Sequence, residues 1–148
     1  MIYLDANVFI FPILTQDTRK SMACKEILEK VVDGKLNAAT SALTWDEIVW
    51  ATRKYLGAAD SIEEGKKFME FPNLRLIETN ESTLIIANKL MERNKLKPRD
   101  ALHAATAIAN NAEGIISGDS DFDNVKELKR FSIEKFAKYS GRHRYLNK

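Results

Sequence analysis

The chain has 148 residues, 45% of them hydrophobic, with 23 Lys and Arg against 21 Asp and Glu for a formal net charge of +2. That length and composition suit one domain with a sizeable core and exclude a charge-driven disordered chain. No run approaches the roughly 20 apolar residues of a membrane span, no basic stretch followed by an apolar run opens the chain, and Cys24 is the single cysteine, which excludes an internal disulfide or a zinc knuckle. A cytoplasmic protein is expected, organised as one domain over residues 1–148.

Short apolar runs alternate with longer helical patterns and no linker or repeat divides them, the layout of an α/β domain with a mostly parallel sheet of four to five strands. A strand is expected at Ile2–Leu4, then a helix from Asn7 to about Leu14 made irregular by Pro12. The next helix runs from about Thr18 to Asp33, with Asp17 or Thr18 as cap and Gly34 as stop, and contains Cys24 as a buried small hydrophobe. A strand at Leu36–Ala39 leads through Thr40 or Ser41, read as caps, into a helix from Ala42 to Gly57. A further helix is expected after Ser61, where Glu63 and Glu64 suit the positive end of its dipole. A strand at Leu74–Ile77 precedes a helix opened by Asn80-Glu81-Ser82 and reaching about Arg93. Pro98 fits the first turn of a helix over Arg99–Asn110. Strands at Ile115–Ser117 and, more weakly, Phe131–Ile133 close the pattern.

Charge is uneven along this layout. From Lys126 to Lys148 eight Lys and Arg face two acidic residues, so these last 23 residues carry +6 and the remainder −4. A basic tail is expected from about residue 135, and its Arg142 and Arg144, interleaved with tyrosines, suit phosphates and bases. Lys95, Lys97 and Arg99 gather at the start of the Pro98 helix and are candidates for the same task.

In open α/β sheets, functional groups collect at the carboxyl ends of strands and at the helix starts that follow. Asp5 ends the run Ile2-Tyr3-Leu4, and Asp119 lies two residues past Ile115-Ile116-Ser117. Glu47 has Leu43, Trp50 and Ala51 as neighbours at helical spacing, an apolar face on which an ionised carboxylate needs a cation or several donors. Asp46 points about 100° away and reads as an ordinary acid of the helix start. Asp100 opens the small apolar helix Ala101-Leu102-His103-Ala104-Ala105. Four converging carboxylates repel one another unless a cation joins them. With no Cys and no evident His ligand, the set suits Mg²⁺ or Mn²⁺, an ion that promotes phosphodiester hydrolysis by activating water and stabilising charge on the phosphoryl oxygens.

Four separated motifs carry a family resemblance: Tyr3-Leu4-Asp5-Ala6-Asn7-Val8, Ala39-Thr40-Ser41-Ala42-Leu43-Thr44-Trp45-Asp46-Glu47, Arg99-Asp100-Ala101-Leu102-His103-Ala104-Ala105 and Ser117-Gly118-Asp119-Ser120-Asp121-Phe122. In this order they resemble the PIN-domain nucleases, and within them the VapC-type toxins of toxin–antitoxin pairs. The resemblance implies a three-layer α/β/α fold and a metal-dependent endoribonuclease. It implies an acidic metal site of Asp5, Glu47, Asp100 and Asp119, with Asn7 and Ser117 as supporting polar groups. Asp121 is left open between ligand, outer acceptor and turn residue, and Phe122 is expected to anchor its loop in the core. His103 is expected to orient neighbours by hydrogen bonds. Trp45, Trp50 and Tyr55 are expected mostly in the core. A homodimer and an antitoxin that lays a peptide near these aromatics follow from the resemblance alone, as does the RNA substrate. Two rival readings are an inactive PIN-like RNA-binding or scaffold module, and a haloacid-dehalogenase-type phosphatase suggested by Leu4-Asp5-Ala6-Asn7-Val8 but lacking that family's second aspartate at Asn7.

Overall fold

The computed structural model describes residues 1–139, so Arg142 and Arg144 lie outside the described residues. In chain order it contains β1 (Ile2–Leu4), α1 (Asn7–Leu14), α2 (Arg19–Val32), β2 (Ala38–Ser41), α3 (Ala42–Leu56), α4 (Ala58–Met69), β3 (Leu74–Ile77), α5 (Glu81–Asn94), α6 (Pro98–Ala109) and β4 (Ile115–Ile116). A 3₁₀ turn (Ser120–Asn124), β5 (Arg130–Phe131) and α7 (Ile133–Tyr139) follow. The sheet is parallel throughout, in the order β3-β2-β1-β4-β5. The chain winds outward from β1 in one direction through β2 and β3, and in the other through β4 and β5. The crevice between the ends of β1 and β4 is therefore the place where such sheets gather ligands.

Alternation along the strands divides the core between two faces. Ile2, Leu4 and Ile116 face the layer built by α1, α2 and α7, together with Ile48 of α3 and Phe68 of α4. Tyr3, Ala39 and Ile115 face Ala87 and Leu90 of α5 and the alanine-rich side of α6. Cys24 and Phe122 are both fully buried. Among the described residues, no helix is long and apolar enough to cross a membrane.

Several boundaries differ from those read in the sequence. β2 begins at Ala38 because the amides of Lys35 and Leu36 are spent on the Lys30 carbonyl, closing α2 around Gly34 at φ 67°. Thr40 and Ser41 consequently belong to the strand, with Ser41 also at the expected N-cap position of α3 though without a side-chain cap bond, while the Thr40 hydroxyl donates to the Leu4 carbonyl at 2.8 Å. α4 starts at Ala58, not after Ser61. Gly57, at φ 104°, both ends α3 and accepts the Ser61 amide, while the Ser61 hydroxyl turns back to the Ala58 carbonyl. β4 stops at Ile116, leaving Ser117 at its end. The last strand is Arg130–Phe131, and Ile133 opens a helix instead. Ile133, Phe136 and Ala137 are buried at helical spacing in the core cluster that contains α2, so the start of the basic segment is docked. Gly114 lets β5 approach: a Cβ there would meet the Lys129 carbonyl oxygen at 2.5 Å.

Candidate active site

Because side chains alternate along β1, Asp5 emerges on the same face as Tyr3, toward α6. It is 5% exposed. Its Oδ2 accepts the Ser117 hydroxyl at 2.5 Å, and burial raises its pKa despite the opposing effects of His103 and Ser117. The same Ser117 oxygen accepts the Asn7 side-chain amide at 3.1 Å and the Asp119 backbone amide at 2.9 Å. Asn7 also accepts the Gly118 amide at 3.3 Å. One hydroxyl and one amide thus tie the end of β1 to the loop after β4.

That loop tightens into the 3₁₀ turn because Asp119 caps it, accepting the Asp121 amide at 2.8 Å. Phe122 pins the turn in the core, and Asp121 is left at the surface of the crevice, 4.0 Å from the Lys97 ammonium. Across the crevice α6 begins after Lys97, with Pro98 in its first turn, and presents Asp100 beside the helix N-terminus. Asp100, Asp119 and Asp121 each offer a carboxylate oxygen, and these lie within 4.8 Å of one another. Burial, then the charges of Asp5 and Asp119, push the Asp100 pKa up to about 6.

Glu47 and Asp5 direct oxygens at His103 instead. His103 Nε2 is 2.5 Å from Glu47 Oε1 and 3.7 Å from Asp5 Oδ1, and Nδ1 is 2.8 Å from the Tyr3 hydroxyl. Burial disfavours the imidazolium, but Tyr3, the Glu47 hydrogen bond and the carboxylates of Asp5 and Glu47 outweigh it and hold the pKa at about 10. A cation wedged between two acids is thus part of the protein itself, and His103 has the orienting place expected of it.

The aromatics of α3 do not enter the core. Trp45, Trp50 and Tyr55 are 40%, 53% and 63% exposed. They were expected mostly in the core, with Trp50 on the apolar face beside Glu47, but the side of α3 that packs inward carries Thr44, Ile48, Ala51 and Thr52. Glu47 sits at the border between the two sides, its side chain 19% exposed. Lys95, left-handed at φ 59° after α5, Lys97 and Arg99 are all exposed along the rim.

Arg130 had no place in the sequence reading. Its guanidinium holds both oxygens of Asp123 at 2.8 and 2.7 Å and donates to the Ser117 carbonyl at 3.2 Å, clamping β5 to the turn that carries Asp119 and Asp121. Its place in the basic stretch, directly after Lys129, hid it, and the available signal was its position just ahead of the strand expected at Phe131.

The donor chemistry fits a hard divalent cation. All three clustered ligands are carboxylates, their mutual repulsion is visible in Asp100, and the nearby imidazole is occupied by Glu47 and Tyr3. Residues 2–128 match the family model of the PIN domain. The chain belongs to the PIN domain family. No curated protein matches it in sequence. Among solved structures, this PIN domain resembles VapBC2 from Rickettsia felis bound to a promoter DNA fragment, at 20% identity and a TM-score of 0.68, covering 89% of this chain and 98% of that one. VapBC-1 from nontypeable Haemophilus influenzae is similar at 22% identity and a TM-score of 0.67 over 90% and 98%. VapC20 of Mycobacterium tuberculosis, described as a sarcin-ricin loop cleaving toxin, is similar at 12% identity and a TM-score of 0.68 over 85% and 95%. At these identities the likeness is one of fold, and PIN family membership sets the haloacid-dehalogenase reading aside.

Proposed function

We propose that this PIN domain is a divalent-metal-dependent endoribonuclease of the VapC type. The observation that carries the reading is the trio Asp100, Asp119 and Asp121, whose carboxylates come within 4.8 Å at the sheet crevice, with Asp5 close enough to raise the Asp100 pKa. Asp100, Asp119 and Asp121 would hold the ion, with Asp5 beside them. When bound, Mg²⁺ or Mn²⁺ supplies charge neutralisation at the phosphoryl group and a more acidic water. The protein's own residues do the rest. Glu47, with Oε1 held by His103, keeps Oε2 to orient the attacking water and accept its proton as the water oxygen bonds phosphorus and the P–O bond to the leaving nucleotide breaks, the departing oxygen taking a proton from solvent. Ser117 and Asn7 fix Asp5 and the Asp119 loop so that little reorganisation accompanies the reaction. Lys97 and Arg99 offset the crevice's negative charge for an approaching polyanion.

The reading extends to partners through the similar structures, several of which are toxin–antitoxin complexes. It includes a small VapB-like antitoxin, a homodimer and a cytoplasmic setting, with residues 1–148 acting as one nuclease domain. The test is cleavage of RNA by purified protein in Mg²⁺, in Mn²⁺ and in EDTA, alongside Asp5→Asn, Glu47→Gln, Asp100→Asn and Asp119→Asn. Cleavage that needs the ion and fails in the variants supports the site. Cleavage undiminished in all four variants rejects it. RNA binding without cleavage under every condition favours the inactive module.

A further inference from the structure

We infer that Trp50, with Arg99 and Lys54 beside it, is a stacking subsite for one unpaired base of an RNA strand whose phosphate occupies the acidic crevice. The inference rests on the ribonuclease reading and adds to it a place on α3 where one base is held. Trp50 stands one helical turn past Glu47 on α3, more than half exposed. The Arg99 guanidinium carbon lies 5.8 Å from its ring centroid, and Arg99 immediately precedes Asp100. The indole is therefore coupled through one arginine to the crevice rim. The Lys54 ammonium lies 5.1 Å from the Trp50 ring and 5.2 Å from the ring of Tyr55, which is exposed as well. Among the described residues, Asp46, at 3.2 Å from Arg99, is the acid paired with this group, and it fixes the guanidinium rather than leaving an uncompensated negative charge.

The chemistry selects the occupant. A crevice built of carboxylates repels the phosphates next to the one it binds, so a polyanion needs cations and non-electrostatic contacts just outside it. Every base has a π-face that an indole can accept, whereas bases inside a duplex are already stacked and cannot present one. Lys54 is a flexible side chain on the same helix, able to move from the ring face to a phosphate as the base arrives. Alternating cations and aromatics beside the acids therefore match an unpaired strand of nucleotides.

The test uses the full chain carrying Asp100→Asn, to stop turnover, with short unstructured RNAs that are intact or carry one abasic nucleotide at successive positions. Removing one base–aromatic stack weakens binding about tenfold. Trp50→Ala should show that loss on intact RNA, Trp50→Phe should restore most of it, and one abasic position should already lack the affinity, so that Trp50→Ala costs nothing further there. A duplex of the same sequence should be insensitive to Trp50. In the Trp45→Phe background, emission of the remaining Trp50 should be quenched by the intact strand. Unchanged affinity in Trp50→Ala, or an equal loss at every abasic position, overturns the inference, as does a loss confined to a protein partner. The two readings fail separately. A wild-type protein that cleaves RNA while Trp50→Ala keeps its KM removes the subsite alone. A protein that binds RNA through Trp50 but never cleaves removes the nuclease alone.

Discussion

His103 Nε2 lies 2.5 Å from Glu47 Oε1, and the opposite nitrogen of the same ring meets the Tyr3 hydroxyl at 2.8 Å. The imidazole is fully buried, so removing it strands the fully buried Tyr3 hydroxyl and takes a hydrogen-bond partner from Glu47. His103→Ala should lower unfolding free energy by about 1–3 kcal/mol, the usual cost of an orphaned buried partner, with a further loss from the cavity. Tyr3→Phe removes one hydrogen bond and should cost about 0.5–1.5 kcal/mol. Urea denaturation of the two variants measures the difference, and equal stabilities would show that the network contributes nothing.

Asp100 gives a pH dependence of definite sign. Its folded pKa of about 6 exceeds its ordinary 3.8, so the folded state favours the protonated acid. Its contribution to stability is complete below 3.8 and is lost as pH rises through about 6. Asp5 is shifted in the same direction. His103, held at about 10 against 6.5, keeps its contribution below 6.5 and loses it toward 10, outside that window. In EDTA, the melting temperature of Asp100→Asn relative to the parent should therefore rise between these limits for Asp100 and level off above them. A constant difference across the range would mean that neither burial nor the neighbouring acids disfavour ionised Asp100.

An ion that binds only the folded crevice raises stability by mass action. Mg²⁺ or Mn²⁺ at a hundred times its dissociation constant should add about 2.7 kcal/mol. Calorimetric melts should show a larger gain above pH 6, where Asp100 is ionised in the free protein, than below it. Asp119→Asn should remove most of the gain. Asp121→Asn decides the open member of the site: a reduced gain makes Asp121 a ligand, and an unchanged one makes it a turn residue.

Arg130 reaches the crevice through Asp123 and the Ser117 carbonyl. Its side chain is 16% exposed, and its two-pronged grip on Asp123 is a geometry that lysine cannot reproduce. Arg130→Lys should weaken metal affinity about tenfold while leaving the fold intact, within the range found for groups that orient ligands from behind. Isothermal titration with Mn²⁺ reads this directly, and unchanged affinity would reduce the clamp to a local staple.

The sequence made the α/β plan legible because its strands are short apolar runs and its helices carry their own punctuation, such as the stop at Gly34 and the start at Pro98. It misread α7 because Ile133 adjoins Phe131 in a short apolar run that resembles a strand, while the spacing to Phe136 and Ala137 becomes decisive only against α2. The acids could be placed at strand ends and helix starts one at a time. Their division of labour was not legible, since it depends on rotamers: Glu47 and Asp5 turned to His103, and Asp100, Asp119 and Asp121 turned to each other. The exposed aromatics were misplaced because periodicity shows that a stripe exists without showing which stripe the core takes.

β1 pairs directly with β4, yet the two strands lie at residues 2–4 and 115–116. The crevice between them therefore has no partial form along the chain. Asp5 lies 112 residues before Ser117, so the hydrogen bond that holds it forms only after β4 and the turn behind it have been made. A nascent or truncated chain lacking β4 has no second wall for the crevice, no Ser117 to hold Asp5 and no Asp119. The acidic crevice is thus complete only once nearly the whole domain has been made.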